Sequence, residues 1–277
     1  MDSSQNIRCF DLGGGGLKTA LVKYDGHKIY LKGHVKSLGK CPDDQHVDQW
    51  VRKKLKEMAH VDLDKEVKQG YKFGFSLAGL DKLRSKPVSK AKIDQLFNLP
   101  SDKVSALDDG QAHLIASLQT VQGLPAGRVW NIAIGTGVGF GFTNSKKEPK
   151  PADDLKKFFD CSAWEAKEPT TGKAIWEAGS GPAFDRIRSS CASNDEAMNE
   201  FSARWKAFVE KQIIERSKDG KDWGKPAAIV FTGGHTEYHS GQLVNSLKNT
   251  DVKVSVFQGP AWAGIVGAAW NVIDNRK

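Results

Sequence analysis

Positions 130–134 form an apolar run that meets Gly135, Thr136 and Gly137, and a second run leaves with glycine at 137, 139 and 141. The pattern predicts two strands joined by a tight turn. Glycine weakens a strand, so its repetition here implies that a backbone or a ligand phosphate must come closer than a Cβ would allow. The same arrangement stands near the amino end, where the run 7–10 leads through Asp11 and Leu12 into Gly13, Gly14, Gly15 and Gly16 and then into a strand at 18–23. Two such hairpins, one per half of the chain, predict two phosphate-gripping loops facing one cleft.

The rest of the pattern alternates strands with helices. An alternating stretch at 28–35 extends the first sheet, and Val47, Trp50, Val51, Leu55 and Met58 recur at helical spacing over 45–59. A strand at 71–77 ends in the glycine turn 78–81, and a basic connector, 82–92, leads to a short helix at 93–99. The strand 104–107 delivers Asp108 and Asp109 to its carboxyl end before a helix at 111–121, and Pro125 and Gly127 mark a break. In the second half the signal fades over 144–169, with one helical stretch at 153–160. Pro182 is placed to start a helix, and Asn194 caps an amphipathic helix over 196–216. An apolar strand at 227–231 ends in Thr232, Gly233 and Gly234, followed by a helix at 241–247, a strand at 252–257 and a final helix at 261–273. Each half thus reads as strands first and then strands alternating with helices, which predicts two α/β domains with a cleft between them. The first spans 1–123, joined by the terminal helix 261–277, and the second spans 124–260.

Composition narrows the function. With 277 residues the chain can bury two ordinary cores. Its net charge of +8 comes from lysines dispersed in pairs, without the stripe or tail of a nucleic-acid binder, and suits a protein that handles polyanionic nucleotides. Cys9, Cys41, Cys161 and Cys191 lie far apart and offer neither a zinc knuckle nor a disulfide framework. A polar amino terminus and the lack of any run near the ~18 apolar residues of a membrane span predict a soluble, cytoplasmic protein with no membrane partner.

The glycine loops can cradle phosphates through the N–H groups of Gly13, Gly14, Gly15 and Gly16 and of Gly135, Thr136 and Gly137. Asp11, at a strand end beside the first loop, is placed to hold Mg²⁺ through water. Lys18 reads either as a phosphate contact or as an exposed strand lysine. Asp108 and Asp109 read either as helix caps or as a catalytic pair, in which each carboxylate raises the other's pKa. Trp50, Trp205 and Trp270 sit at core spacing, and Trp164 and Trp176 remain open as ligand-stacking surfaces.

Taken in order, these motifs resemble the ROK family of sugar kinases and sugar-responsive regulators, within the actin-like and hexokinase-like ATPase superfamily. The segment from Asp11 to Lys18 is similar to the family's Asp-x-Gly-Gly-Thr-x-x-Lys. Gly74-Phe75-Ser76-Leu77-Ala78-Gly79-Leu80-Asp81 resembles its sugar-side Gly-x-x-x-Pro-Gly-x-x-Asp, and the segment from Ala106 to Ala112 resembles Glu-Asn-Asp-Ala-Asn-Ala. Gly135 to Gly139 is similar to the second phosphate motif, Ser180-Gly181-Pro182-Ala183 to Ser-Gly-x-Ala, and the segment from Ile229 to Gly234 to the adenosine motif.

The resemblance implies two RNase-H-like domains and an ATP- and Mg²⁺-dependent kinase of a hexose or hexose derivative, with Asp109 as general base. It assigns phosphate to both glycine loops and Lys18, adenosine to Gly233 and Gly234, and sugar to Ser76, Gly79, Asp108 and Asp109. Gly15 replaces the family's threonine, and neither the Glu-x-Gly-His motif nor the zinc-binding cysteine cluster is found between 142 and 180. Zinc is therefore not expected, and Glu165 and Glu177 stand in as sugar ligands. The readings left open are a non-catalytic sugar or nucleotide sensor, a nucleotide hydrolase, and a kinase that draws on polyphosphate. A DNA-binding regulator is not expected, because only 1–6 precede the first strand; a homodimer is common among relatives.

Overall fold

The structure, a computed structural model, describes residues 4–13, 15–40, 42, 47–77, 93–143, 149–150, 166–218, 225–248 and 254–274. The chain divides into unit 1, Met1–Ala112 with Gly264–Lys277, and unit 2, His113–Ala263.

Unit 1 opens with β1 (Gln5–Gly13), β2 (Gly16–Tyr24) and β3 (Ile29–Gly39), an antiparallel meander. The helices α1 (Val47–Ala59) and α2 (Leu63–Lys68) precede β4 (Lys72–Leu77), and α3 (Ile93–Phe97) precedes β5 (Val104–Asp108). β4 and β5 join β1 in parallel, giving the order β3-β2-β1-β4-β5. One core layer gathers Phe10, Phe73 and Phe75 with Trp50, Leu55 and Phe97. Met58, expected on the buried face of α1, is 46% exposed instead. The other face of the sheet, with Ile7, Cys9, Ala20 and Val22, is covered by the last helix of the chain through Ile265, Ala268, Ala269 and Val272. α2 was not expected; its buried Glu66 forms an ion pair with the buried Arg8 of β1, with Arg8 Nε 3.1 Å from Glu66 Oε2. Six residues are too few to register as a periodic signal.

Unit 2 repeats the plan. α4 (Asp109–Thr120) enters it, β6 (Val129–Ile134) pairs antiparallel with β7 (Val138–Thr143), and β7 with the short β8 (Pro149–Lys150). Then come α5 (Ile175–Ala178), α6 (Gly181–Ser190), α7 (Asn194–Lys218), β9 (Ala228–Thr232), α8 (Gly234–Lys248), β10 (Ser255–Gln258) and α9 (Ala263–Asp274), whose main part belongs to unit 1. β9 and β10 add in parallel, so the order β10-β9-β6-β7-β8 mirrors the first sheet. α6, α7 and α8 bury Phe184, Phe201, Trp205, Phe208 and Leu243 against one face. Leu114 of α4 packs with Val129, Ala228 and Val230 on the other. Two helices start earlier than the pattern predicts: α4 at Asp109, and α8 at Gly234, where the Gly-His-Thr-Glu-Tyr-His-Ser-Gly stretch carries almost no apolar signal.

Candidate functional site

In unit 1 the parallel strands β1, β4 and β5 bring polar side chains to their carboxyl ends, the edge at which open α/β sheets bind ligands. Asp11 of β1 lies opposite Ser76 of β4 and Lys18 of β2, and Leu77 lies opposite Asp108 of β5. Ser76 Oγ donates to Asp11 Oδ1 at 3.0 Å, and Lys18 Nζ stands 3.6 Å from Asp11 Oδ2. Ser76 is fully buried and Asp11 is 9% exposed, so this contact is part of the sheet's interior end. Asp108 and Asp109 both accept from the Gly110 N–H, at 2.9 and 2.7 Å. Both carboxylates therefore serve the helix start, whatever else they do. The Asp109 carboxyl titrates well above the usual carboxylate range. Burial is the largest cause, followed by the charges of Asp108 and Asp11, with a hydrogen bond to Asp108 adding to the rise and the Gly110 N–H opposing it.

A residue that sequence reasoning passed over completes this end. A Cβ on Gly264, at the start of α9, would fall 2.5 Å from Asp11 Oδ1, so only glycine lets the helix end meet the carboxylate. One turn on, a Cβ on Gly267 would overlap the Ala112 backbone of α4. The signal was a pair of glycines three apart in an otherwise apolar helix. The first glycine loop is a tight β1–β2 connection in which Gly13 pairs with Gly16 and Gly15 is exposed. Gly14, Gly79, Glu165 and Trp164 lie outside the described residues, as do the predicted turn at 78–81, the connector 82–92 and the helical stretch at 153–160.

In unit 2 three segments meet at the end of β6. The turn after it is closed by Gly135 N–H donating to Gly137 O at 2.9 Å, with Thr136 exposed at its tip. Gly181 N–H, at the start of α6, donates to Gly135 O at 2.7 Å. Gly233, at φ +97°, packs on the Ile134 backbone so closely that a Cβ would overlap the Ile134 carbonyl. Gly234 then opens α8. Two helix starts and a glycine turn thus converge on Ile134–Gly135, and the positive dipole ends of the two helices suit an anionic ligand.

Glu177 lies in α5 of unit 2, where its carbonyl accepts from Arg186 Nη2 at 2.7 Å. Trp176 is 45% exposed. Nearby, the buried Glu168 carboxylate accepts from Thr170 N, Thr171 N and Thr171 Oγ1 at 2.7–2.8 Å and closes the turn between Lys167 and Ala174. Burial raises its pKa, but the hydrogen bonds from Thr170 and Thr171 together outweigh burial and lower it.

Among the described residues no three His, Cys, Asp or Glu side chains gather as a metal cage. The donor set at Asp11 is a single carboxylate, which fits a Mg²⁺ ion held through water and phosphate oxygens better than a fully protein-ligated ion. No helix among the described residues is long and apolar enough to cross a membrane.

No protein-family model matches the chain, and no curated protein sequence does. Solved structures do match its fold. An inorganic polyphosphate/ATP-glucomannokinase from Arthrobacter sp. strain KM superposes with a TM-score of 0.67 at 17% identity, covering 98% of this chain and 99% of that one. A ROK-family glucokinase from Streptomyces griseus, solved with glucose and AMPPNP, gives 0.63 at 15% identity over 95% and 98% of the two chains. The ROK hexokinase of Thermus thermophilus gives 0.60 at 13% identity over 98% and 99%. The chain has the two-unit α/β fold that these sugar kinases share.

Proposed function

We propose that the chain is a sugar kinase that transfers the terminal phosphoryl group of ATP to a hydroxyl of a hexose or hexose derivative. The observation that carries this reading is the Asp11, Ser76, Asp108 and Asp109 cluster at the carboxyl ends of β1, β4 and β5, with the Asp109 carboxyl held at a raised pKa. Phosphoryl transfer asks for a positioned acceptor, a base and charge neutralisation, and for little covalent chemistry. In this reading Asp109 accepts the proton of the attacking hydroxyl; a carboxylate opposed by burial and by two like charges takes a proton readily. Asp108 and Ser76 orient the sugar. Asp11 and Lys18 stand at the phosphate side, where Asp11 would hold Mg²⁺ through water. Bound there, the ion would neutralise charge on the phosphates.

The Gly135–Thr136–Gly137 turn and the starts of α6 and α8 would take the nucleotide phosphates, and Gly233 with Gly234 the nucleoside. That the polyphosphate/ATP-glucomannokinase, the glucokinase and the hexokinase of the same fold are sugar kinases supports the kinase reading.

The test is ADP release from Mg-ATP against a panel of glucose, mannose, fructose, N-acetylglucosamine, N-acetylmannosamine and no sugar, with a polyphosphate arm scored by sugar phosphate formed. Turnover with a sugar is expected. ATP hydrolysis equal with and without every sugar would replace the kinase by a hydrolase, and nucleotide binding without any turnover would replace it by a sensor.

A further inference from the structure

Unit 2 holds a buried polar chain that no step above uses. His113 Nδ1 of α4 lies 2.8 Å from Thr232 Oγ1 of β9, and Asn131 Nδ2 of β6 donates to the same oxygen at 3.1 Å. Ser117 Oγ, one turn further along α4, donates to Asn131 Oδ1 at 2.8 Å. The four residues are 8%, 2%, 0% and 0% exposed for His113, Thr232, Asn131 and Ser117. The layer around them is apolar, with Leu114, Val129 and Val230, and apolar side chains could have filled it throughout. Polar groups so placed are tolerated only if each finds its partner, and that ties them to one geometry.

Ser117 Oγ also reaches the His113 carbonyl at 2.9 Å, and Thr232 Oγ1 lies 3.5 Å from Asn131 Oδ1, so each of the four side chains has a partner within the chain. The chain Ser117, Asn131, Thr232, His113 closes only at one height of α4 on the sheet and one seat of the end of β9. That seat is where Thr232 passes into Gly233, which packs on Ile134 beside the Gly135 turn. Gly259 supports the same spot, since a Cβ there would overlap Thr232 Cγ2.

We infer that His113 is a positioning residue for the nucleotide: through Thr232, braced by Asn131 and Ser117, it fixes where the Gly233–Gly234 turn stands against β6. The consequence for binding rests on the proposed function, whereas the consequence for the turn does not. The experiment compares H113L, T232V, the double variant and H113N for amide hydrogen exchange at Gly233 and Gly234, for Mg-ATP affinity by calorimetry, and for the KM of the sugar. Each of H113L and T232V should speed exchange and weaken Mg-ATP binding by about fivefold to tenfold, the worth of one buried hydrogen bond, with the sugar KM unchanged. The double variant should be no worse than T232V alone, because T232V already removes the His113 contact along with that of Asn131. H113N, whose side-chain amide can stand where Nδ1 stood and either donate or accept, should restore both to within about twofold.

Unchanged exchange in both single variants, additive losses in the double, or an H113N as impaired as H113L would overturn the inference. If H113L fails to fold, T232V, which swaps a hydroxyl for a methyl, decides alone. A wild-type protein that binds no nucleotide would sink the kinase reading, and the exchange data would still judge the positioning role.

Discussion

Asp109 carries opposed demands. Its folded-state pKa is raised by burial and by Asp108 and Asp11, so its contribution to stability is present below the unfolded value and lost as pH rises through the folded one. At neutral pH its ionised form works against the fold. Asp109→Asn is therefore expected to raise the melting temperature by about 2 °C, roughly the effect of 1 kcal/mol in a chain of this size, while lowering kcat by about 10²- to 10⁴-fold. Calorimetry and steady-state kinetics on one preparation check both. The acid limb of the wild-type rate profile should lie well above the pH range of an ordinary carboxylate, and an acid limb near pH 4 would remove Asp109 from the role of base. Glu168 is the reverse case: its lowered pKa gives stability that is present above the unfolded value and lost as pH falls through the folded one. At this scale the motifs singled out Asp11, Ser76 and Asp109, and the structure sets these side chains at the carboxyl ends of β1, β4 and β5. The sequence was silent on the contact of His113 with Thr232, because the two lie 119 positions apart and no local pattern links them.

Among elements, α9 is the most constrained. Gly267→Ala would drive a methyl into the Ala112 backbone, which cannot yield as a side chain can, so a loss above about 3 kcal/mol in urea unfolding is expected. Gly264→Ala meets only the Asp11 carboxylate, and its main effect should be on turnover, with a smaller loss of stability. The link between α2 and the sheet gives a third outcome. Breaking the Arg8–Glu66 pair with Glu66→Ala leaves a buried guanidinium uncompensated and should cost about 3–5 kcal/mol, and a joint Arg8→Met, Glu66→Leu replacement should recover most of it. The strands were legible because apolar runs bounded by glycine are a strong local signal. The starts of α4 and α8 were not, since their first turns are polar or glycine-containing and carry little apolar periodicity.

For the molecule as a whole, the repeated sheet order makes each unit a set of layers with cores of its own. Heating should give a calorimetric enthalpy larger than the van't Hoff value, as expected when two cores melt without full cooperation. Mg-ATP at about 100 times its Kd should raise the transition that reports unit 2, by about 2.7 kcal/mol of linkage. The duplication could be read from the order of elements even though the residues themselves barely repeat. The return of the last helix to the first sheet leaves a further mark, on the order of synthesis. Residues 113–263 are contiguous and can complete their sheet as they leave the ribosome, while Ile7, Cys9, Ala20 and Val22, made early, wait for Ile265 to Val272 to cover them. A nascent chain stalled before residue 264 thus carries a finished second unit and an unfinished first one, and it is the earlier-made half that a chaperone has to shelter.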